Sequence, residues 1–177
     1  IFMSCGSMET SNPLLTDSQA PFGAPEFDKI KNEHYLPAFE AGVAEAKAEI
    51  DAIVANPEEP TFENTIEAME FSGRTLNKVA SIFYNLMEAN TNDQMQEIAE
   101  KIAPMMTEYS MYVSLNDALF QRVKAVYEKK DELGLDQDQM TLLEDSYKSF
   151  VRGGANLSAE DKAVYSKWSE ELSLLTL

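Results

Sequence analysis

The sequence predicts an all-α fold, a bundle of about six helices, and three observations carry that expectation. From Leu36 onward, apolar residues recur at three- and four-residue spacing, the stripe of an amphipathic helix. No segment alternates apolar and polar residues over strand length, and no Asn-Gly hairpin signal occurs. Between the stripes lie capping residues, prolines and glycines that end one helix and begin the next.

Each element follows from its residues. Leu36, Phe39, Val43, Ala46, Ile50 and Ile53 form the first stripe, with Pro37 in the first turn and a stop near Asn56-Pro57. Thr61 caps a second, long helix with Phe62, Ile66, Met69, Leu76, Val79, Phe83 and Leu86 inward; Ser72-Gly73 bends it without ending it. Met95, Ile98, Ile102, Met105, Tyr109 and Val113 mark a third, expected to kink at Pro104, where a backbone hydrogen bond is lost. Leu119, Val123, Val126 and Tyr127 mark a fourth, stopping near Gly134. Asp136 caps a fifth, with Leu143, Tyr147, Phe150 and Val151 as core and Gly153-Gly154 as terminator. Ser158 and Asp161 make a capping-box pattern ahead of Val164, Trp168 and Leu172, the inward side of the sixth. No repeat of fixed period is present, which makes a solenoid the weaker architecture.

Composition narrows function by exclusion. A chain of 177 residues fits one domain with a real core. Its net charge of -17 is spread along the length, which argues against nucleic acid and against anionic membrane surfaces. Acidic helical faces that keep the protein soluble account for it. No run of 18 or more apolar residues exists, so no transmembrane helix is expected.

The chemistry available to these residues is sparse. One cysteine and one histidine exclude a disulfide framework and a four-ligand structural zinc site. A nucleophilic triad has no base other than His34. The "RGGA" stretch matches neither the P-loop nor the dinucleotide fingerprint. Adjacent carboxylates such as Glu58-Glu59, Glu144-Asp145 and Glu170-Glu171 point about 100° apart on a helix and do not converge. His34 follows Glu33, but the residue four positions on is Ala38; the histidine is expected to help start the first helix, with Asn32 capping a short preceding turn. Phe83, Tyr84, Met87, Met105, Met106, Tyr109, Met111 and Tyr112 are expected to be core, the alternative being the lining of a peptide groove.

The opening "IFMSCGS" places Cys5 after a short hydrophobic and small-residue run, like the end of a bacterial lipoprotein signal. Ser4 fits the position before the cysteine, whereas Phe2 stands where leucine is usual. A lipidated Cys5 and a free thiol in a leader both remain open. Residues 1–24 are expected to be leader and linker, and 25–177 a helical domain. With lipid on Cys5 the protein would face the periplasm or cell exterior; without it, the cytoplasm.

Several words together resemble one family: "APEFDKIKNEHYLPAFEAG", "EIDAIVANPEEPTFENTIEAMEFSG", "IFYNLMEANT", "LFQRVKAVYEKKDELGL" and "FVRGGANL". They are similar to the N-terminal part of the thimet-oligopeptidase-like zinc metallopeptidases, in particular the bacterial peptidyl-dipeptidases, or dipeptidyl carboxypeptidases. The resemblance runs from about Pro21 to the final "EELSLLTL". It implies a helical wall of a deep channel for short oligopeptides. It also implies a zinc site on an H-E-x-x-H helix further along a longer chain, with Leu177 an interruption. No catalytic or metal-binding position of the family falls within these residues. A stand-alone helical lipoprotein that binds peptides or proteins is the alternative.

Overall fold

Helix α1, Asn32–Ala55, is the spine of the molecule. In the computed structural model, which describes residues 12–175, it is followed by a π-helical turn, Phe62–Glu67, running into a short α turn, Ala68–Glu70. Then come α2 (Arg74–Asn90), α3 (Asp93–Ser114), α4 (Asp117–Glu128), α5 (Gln137–Arg152) and α6 (Ala159–Leu175). Among the described residues all regular structure is helical, and the six long helices match the expected number.

Buried side chains fall into two clusters along α1. Tyr35, Phe39, Val43 and Ala46 meet Leu76, Val79 and Phe83 of α2 and Met95, Ile98 and Ile102 of α3. Further along, Ile50 and Ile53 meet Phe62 and Ile66 of the π turn, Leu119, Val123 and Val126 of α4, and Leu143 and Phe150 of α5. The spacing of α1 explains this sharing: residues 35, 39, 43, 46, 50 and 53 lie on one stripe, long enough to serve both clusters. Helices α1 and α2 approach closely at Gly42, where a Cβ would stand 3.0 Å from the Leu76 Cα.

Several boundaries differ from the sequence reading. α1 begins at Asn32, so Pro37 lies in its second turn rather than its first, and Asn32 is the first helical residue rather than a cap. Its side-chain amide donates instead to Asn92 Oδ1 (3.3 Å) and Gln94 Oε1 (2.9 Å), joining the starts of α1 and α3. Ser72-Gly73 does end the second element. Gly73 adopts φ +68°, a left-handed conformation that glycine accepts without strain, and α2 restarts behind it. α3 passes through Pro104 without interruption. The caps expected at Thr61 and Asp136 form, each accepting the backbone N–H three residues on (3.1 and 2.9 Å).

Four side-chain placements are corrected. Val151 is 38% exposed, one residue past the buried Phe150. Val164, Trp168 and Leu172 of α6 face outward, not inward, at 41%, 66% and 60% exposure. Helical spacing aligns such residues on one face but does not say which face meets the neighbour. Here Lys162 decides it: its ammonium donates to the Leu115 carbonyl (3.3 Å) and to the Asp117 carboxylate.

Candidate functional site

The single histidine is where chemistry would be sought first, and its neighbours assign it to the backbone. Lys31 N–H donates to His34 Nδ1 at 3.1 Å, and His34 N–H donates to the Lys31 carbonyl at 3.0 Å. Asn12 donates its side-chain amide to the His34 carbonyl at 2.8 Å. An imidazole that accepts at Nδ1 carries its proton on Nε2. His34 therefore closes the first turn of α1, as the sequence suggested.

A catalytic zinc does not fit these residues. Such a site takes at least three protein ligands, and among the described residues no group of three His, Cys, Asp or Glu side chains converges. The adjacent carboxylates go separate ways. Glu144 accepts from Lys130 at 2.6 Å and from Lys148 at 3.0 Å, and these contacts, Lys130 first, hold its carboxyl below the usual range. Glu58 and Glu59 lie exposed and contribute backbone carbonyls instead, to Arg122 and to Asn64. Glu171 stands 3.9 Å from Lys167 on the solvent side of α6. Cys5 lies outside the described residues.

The aromatic and methionine set mostly packs. Phe83 is fully buried, with Tyr35 and Phe39 meeting its ring edge-on at 4.9 and 5.6 Å between centroids. Met87, Met105, Met106 and Tyr109 pack against the same cluster, and Tyr112 against the second. The Tyr112 hydroxyl donates to the Asp51 carboxylate. Burial raises the Tyr35, Tyr84 and Tyr109 hydroxyls above their ordinary pKa, with the Glu49 charge adding to the last. Tyr84 alone of this set is largely exposed, at 42%. It borders a shallow depression of about 330 Å³ with Asn77, Ala80, Ser81, Asn85 and Glu88.

Two deeper grooves flank the cores. One, of about 480 Å³, lies between residues 13–30 and α2, where Lys78 donates to the Thr16 carbonyl at 3.2 Å. The other, of about 360 Å³, is apolar and lined by Met69, Val113, Leu142 and Phe150, with the serines of α5 at its rim. Neither contains a nucleophile beside a base, so what these surfaces offer is shape and apolar contact.

Three structural residues escaped the sequence reading. Arg122 is 9% exposed on the inner side of α4, and its guanidinium donates to the Asn56 carbonyl (2.9 Å), the Glu58 carbonyl (3.3 Å) and Asn64 Oδ1 (3.1 Å). The signal was its position immediately before Val123 on a buried stripe. Leu14 is 1% exposed in the first cluster, within a polar segment that reads as linker. Glu49 accepts from Gly73 N–H at 2.7 Å, serving the start of α2 as a cap borrowed from α1.

No family model matches the sequence. Individual relatives do. The chain is 42% identical over 169 residues to a dipeptidyl carboxypeptidase of Escherichia coli K12, an alignment that covers 96% of this chain. The Salmonella typhimurium dipeptidyl carboxypeptidase is 44% identical over 87% of the chain. The chain belongs to the dipeptidyl carboxypeptidase family. A more distant relative also aligns, the oligopeptidase A of Salmonella typhimurium at 25% identity over 93% of the chain. The present member spans about a quarter of the length of the curated relatives it matches, 25% and 23% of the two dipeptidyl carboxypeptidases. The relatives are bacterial, and so is the origin they support.

Proposed function

We propose that this chain is the N-terminal helical wall of a zinc metallopeptidase that releases dipeptides from the C-terminus of oligopeptides. The observation that carries the reading is the 42% identity to a dipeptidyl carboxypeptidase along 96% of the chain. In this reading the two packed clusters make a rigid wall that shapes a channel for short peptides, and the bond-breaking groups, with their zinc, belong to an H-E-x-x-H segment of a longer polypeptide. These 177 residues bind and position; they do not cleave. Lipid on Cys5 would tether the enzyme outside the cytoplasm, and metabolic labelling with a radioactive fatty acid, compared with Cys5→Ser, tests that separately.

The experiment is a dipeptide-release assay on an oligopeptide, made with the chain alone and with the polypeptide extended past Leu177 to the relatives' length. Release by the extended form that a chelator abolishes and zinc restores, with none from the 177-residue chain, is the expected result. Release by the 177 residues alone, or a stop codon directly after Leu177, overturns the reading in favour of a helical binding protein.

A further inference from the structure

Helix α6 turns its apolar side away from the molecule. Val164, Trp168 and Leu175, 41%, 66% and 83% exposed, are spaced four and seven residues apart and so lie on one stripe. The side that meets α3 is polar by comparison: Lys162, with only 12% of its side chain exposed, and half-buried Ser166 and Ser169, with half-buried Tyr165 at its flank. Hydrophobic burial alone would turn a helix packed mainly on one neighbour the other way round. Its ion pair with Asp117 and its bond to the Leu115 carbonyl hold it as it is.

Two features say what covers the stripe. The Escherichia coli relative aligned to 96% of this chain leaves about three quarters of its own length unmatched, and that bulk must pack on some face of the matched part. A second copy fits poorly, because it carries the same net charge of -17, and Glu160 and Glu171 beside the stripe, the latter with a lysine, Lys167, near it at 3.9 Å, would face their own images. We infer that Val164, Trp168 and Leu175 of α6 form the seat of the catalytic part of the longer polypeptide, which presents an apolar strip rimmed by lysine or arginine. The inference rests on the peptidase reading above.

The test is hydrogen exchange of the α6 amides, read by mass spectrometry in the 177-residue chain and in the extended polypeptide. Exchange across residues 164–175 should be at least about tenfold slower in the extended form. W168E should lower the melting temperature of the extended polypeptide and leave that of the 177-residue chain unchanged; F71S, at another exposed aromatic position (53%), should affect both alike. Equal exchange in the two forms overturns the inference, as does protection in the 177-residue chain that grows with its own concentration, which would make a second copy the occupant. Dipeptide release measured on the same samples separates the two claims. Protection of α6 without release sinks the peptidase reading and leaves the seat standing; release with α6 unprotected does the reverse.

Discussion

Single residues in this fold act mainly through the backbone they hold. Gly42 is the sharpest case, because an added methyl would meet Leu76 backbone atoms at 3.0 and 3.2 Å, and backbone yields only if a whole helix moves. Gly42→Ala should therefore destabilise by about 1–3 kcal/mol despite its gain in helix propensity, seen as a lowered urea midpoint. Arg122 poses the opposite problem, a buried cation whose charge is met by carbonyls rather than a carboxylate. Arg122→Met takes the donor from the Asn56 and Glu58 carbonyls, while Asn64 Oδ1 keeps Thr61 N–H and the Thr65 hydroxyl, and should cost about 2–3 kcal/mol; Arg122→Lys should recover only part, since an ammonium lacks the planar fork that reaches all three acceptors. Three tyrosines set a pH limit. Tyr35, Tyr84 and Tyr109 have hydroxyls raised by burial, so folding favours their protonated forms. The stabilisation is complete below the unfolded value of about 10 and is lost as pH rises through the higher folded values. Urea midpoints should fall above about pH 10 in step with tyrosinate absorbance, and Tyr35→Phe should blunt the fall.

At the scale of elements, helix boundaries separate what local sequence decides from what the fold decides. Thr61, Asn92, Asn116 and Asp136 each accept the N–H three residues on; a cap uses neighbours in the chain, which is why Thr61 and Asp136 were legible in advance. The turn closed by Lys31 and His34 is local too, but the bond from Asn12 to the His34 carbonyl, 22 residues away, was not legible. The break at Gly73 likewise needs Glu49 from another helix. The outward turn of α6 needs Asp117 of α4. The candidate site followed the same division: that His34 had no second histidine was plain from the sequence, whereas its bond from Lys31 N–H required the folded turn. Pro37 now occupies the second turn of α1 on an exposed position, where it denies the Glu33 carbonyl its helical donor. Pro37→Ala should restore that bond without removing buried surface and raise stability by about 1–2 kcal/mol. A lower melting temperature in calorimetry would mean that the ring is instead fixing the entry of α1.

For the molecule as a whole, charge is the term that local interactions do not balance. The sequence holds 31 acidic residues against 14 lysines and arginines, so pairing every base would still leave a large surplus of carboxylates. The ion pairs that do form are mostly exposed; Lys124–Glu128 and Lys167–Glu171 stand 3.8 and 3.9 Å apart in open solvent, and each such pair contributes about 0–1 kcal/mol. Salt weakens those few attractions, but it also screens the repulsion among the surplus carboxylates, which acts over the whole surface at separations comparable to the Debye length of about 10 Å at 0.1 M. The two effects have opposite signs, and the charge balance decides between them: beyond the contact pairs, an excess of carboxylates gives repulsion more partners. The urea midpoint of the chain should therefore rise as sodium chloride is raised from about 0.01 M to about 0.3 M, where the Debye length shrinks severalfold. K148E, which removes a partner of Glu144 and adds an acid, should steepen that rise. A midpoint that falls with salt would assign the surface to its ion pairs, and would remove the electrostatic objection to a second copy on α6.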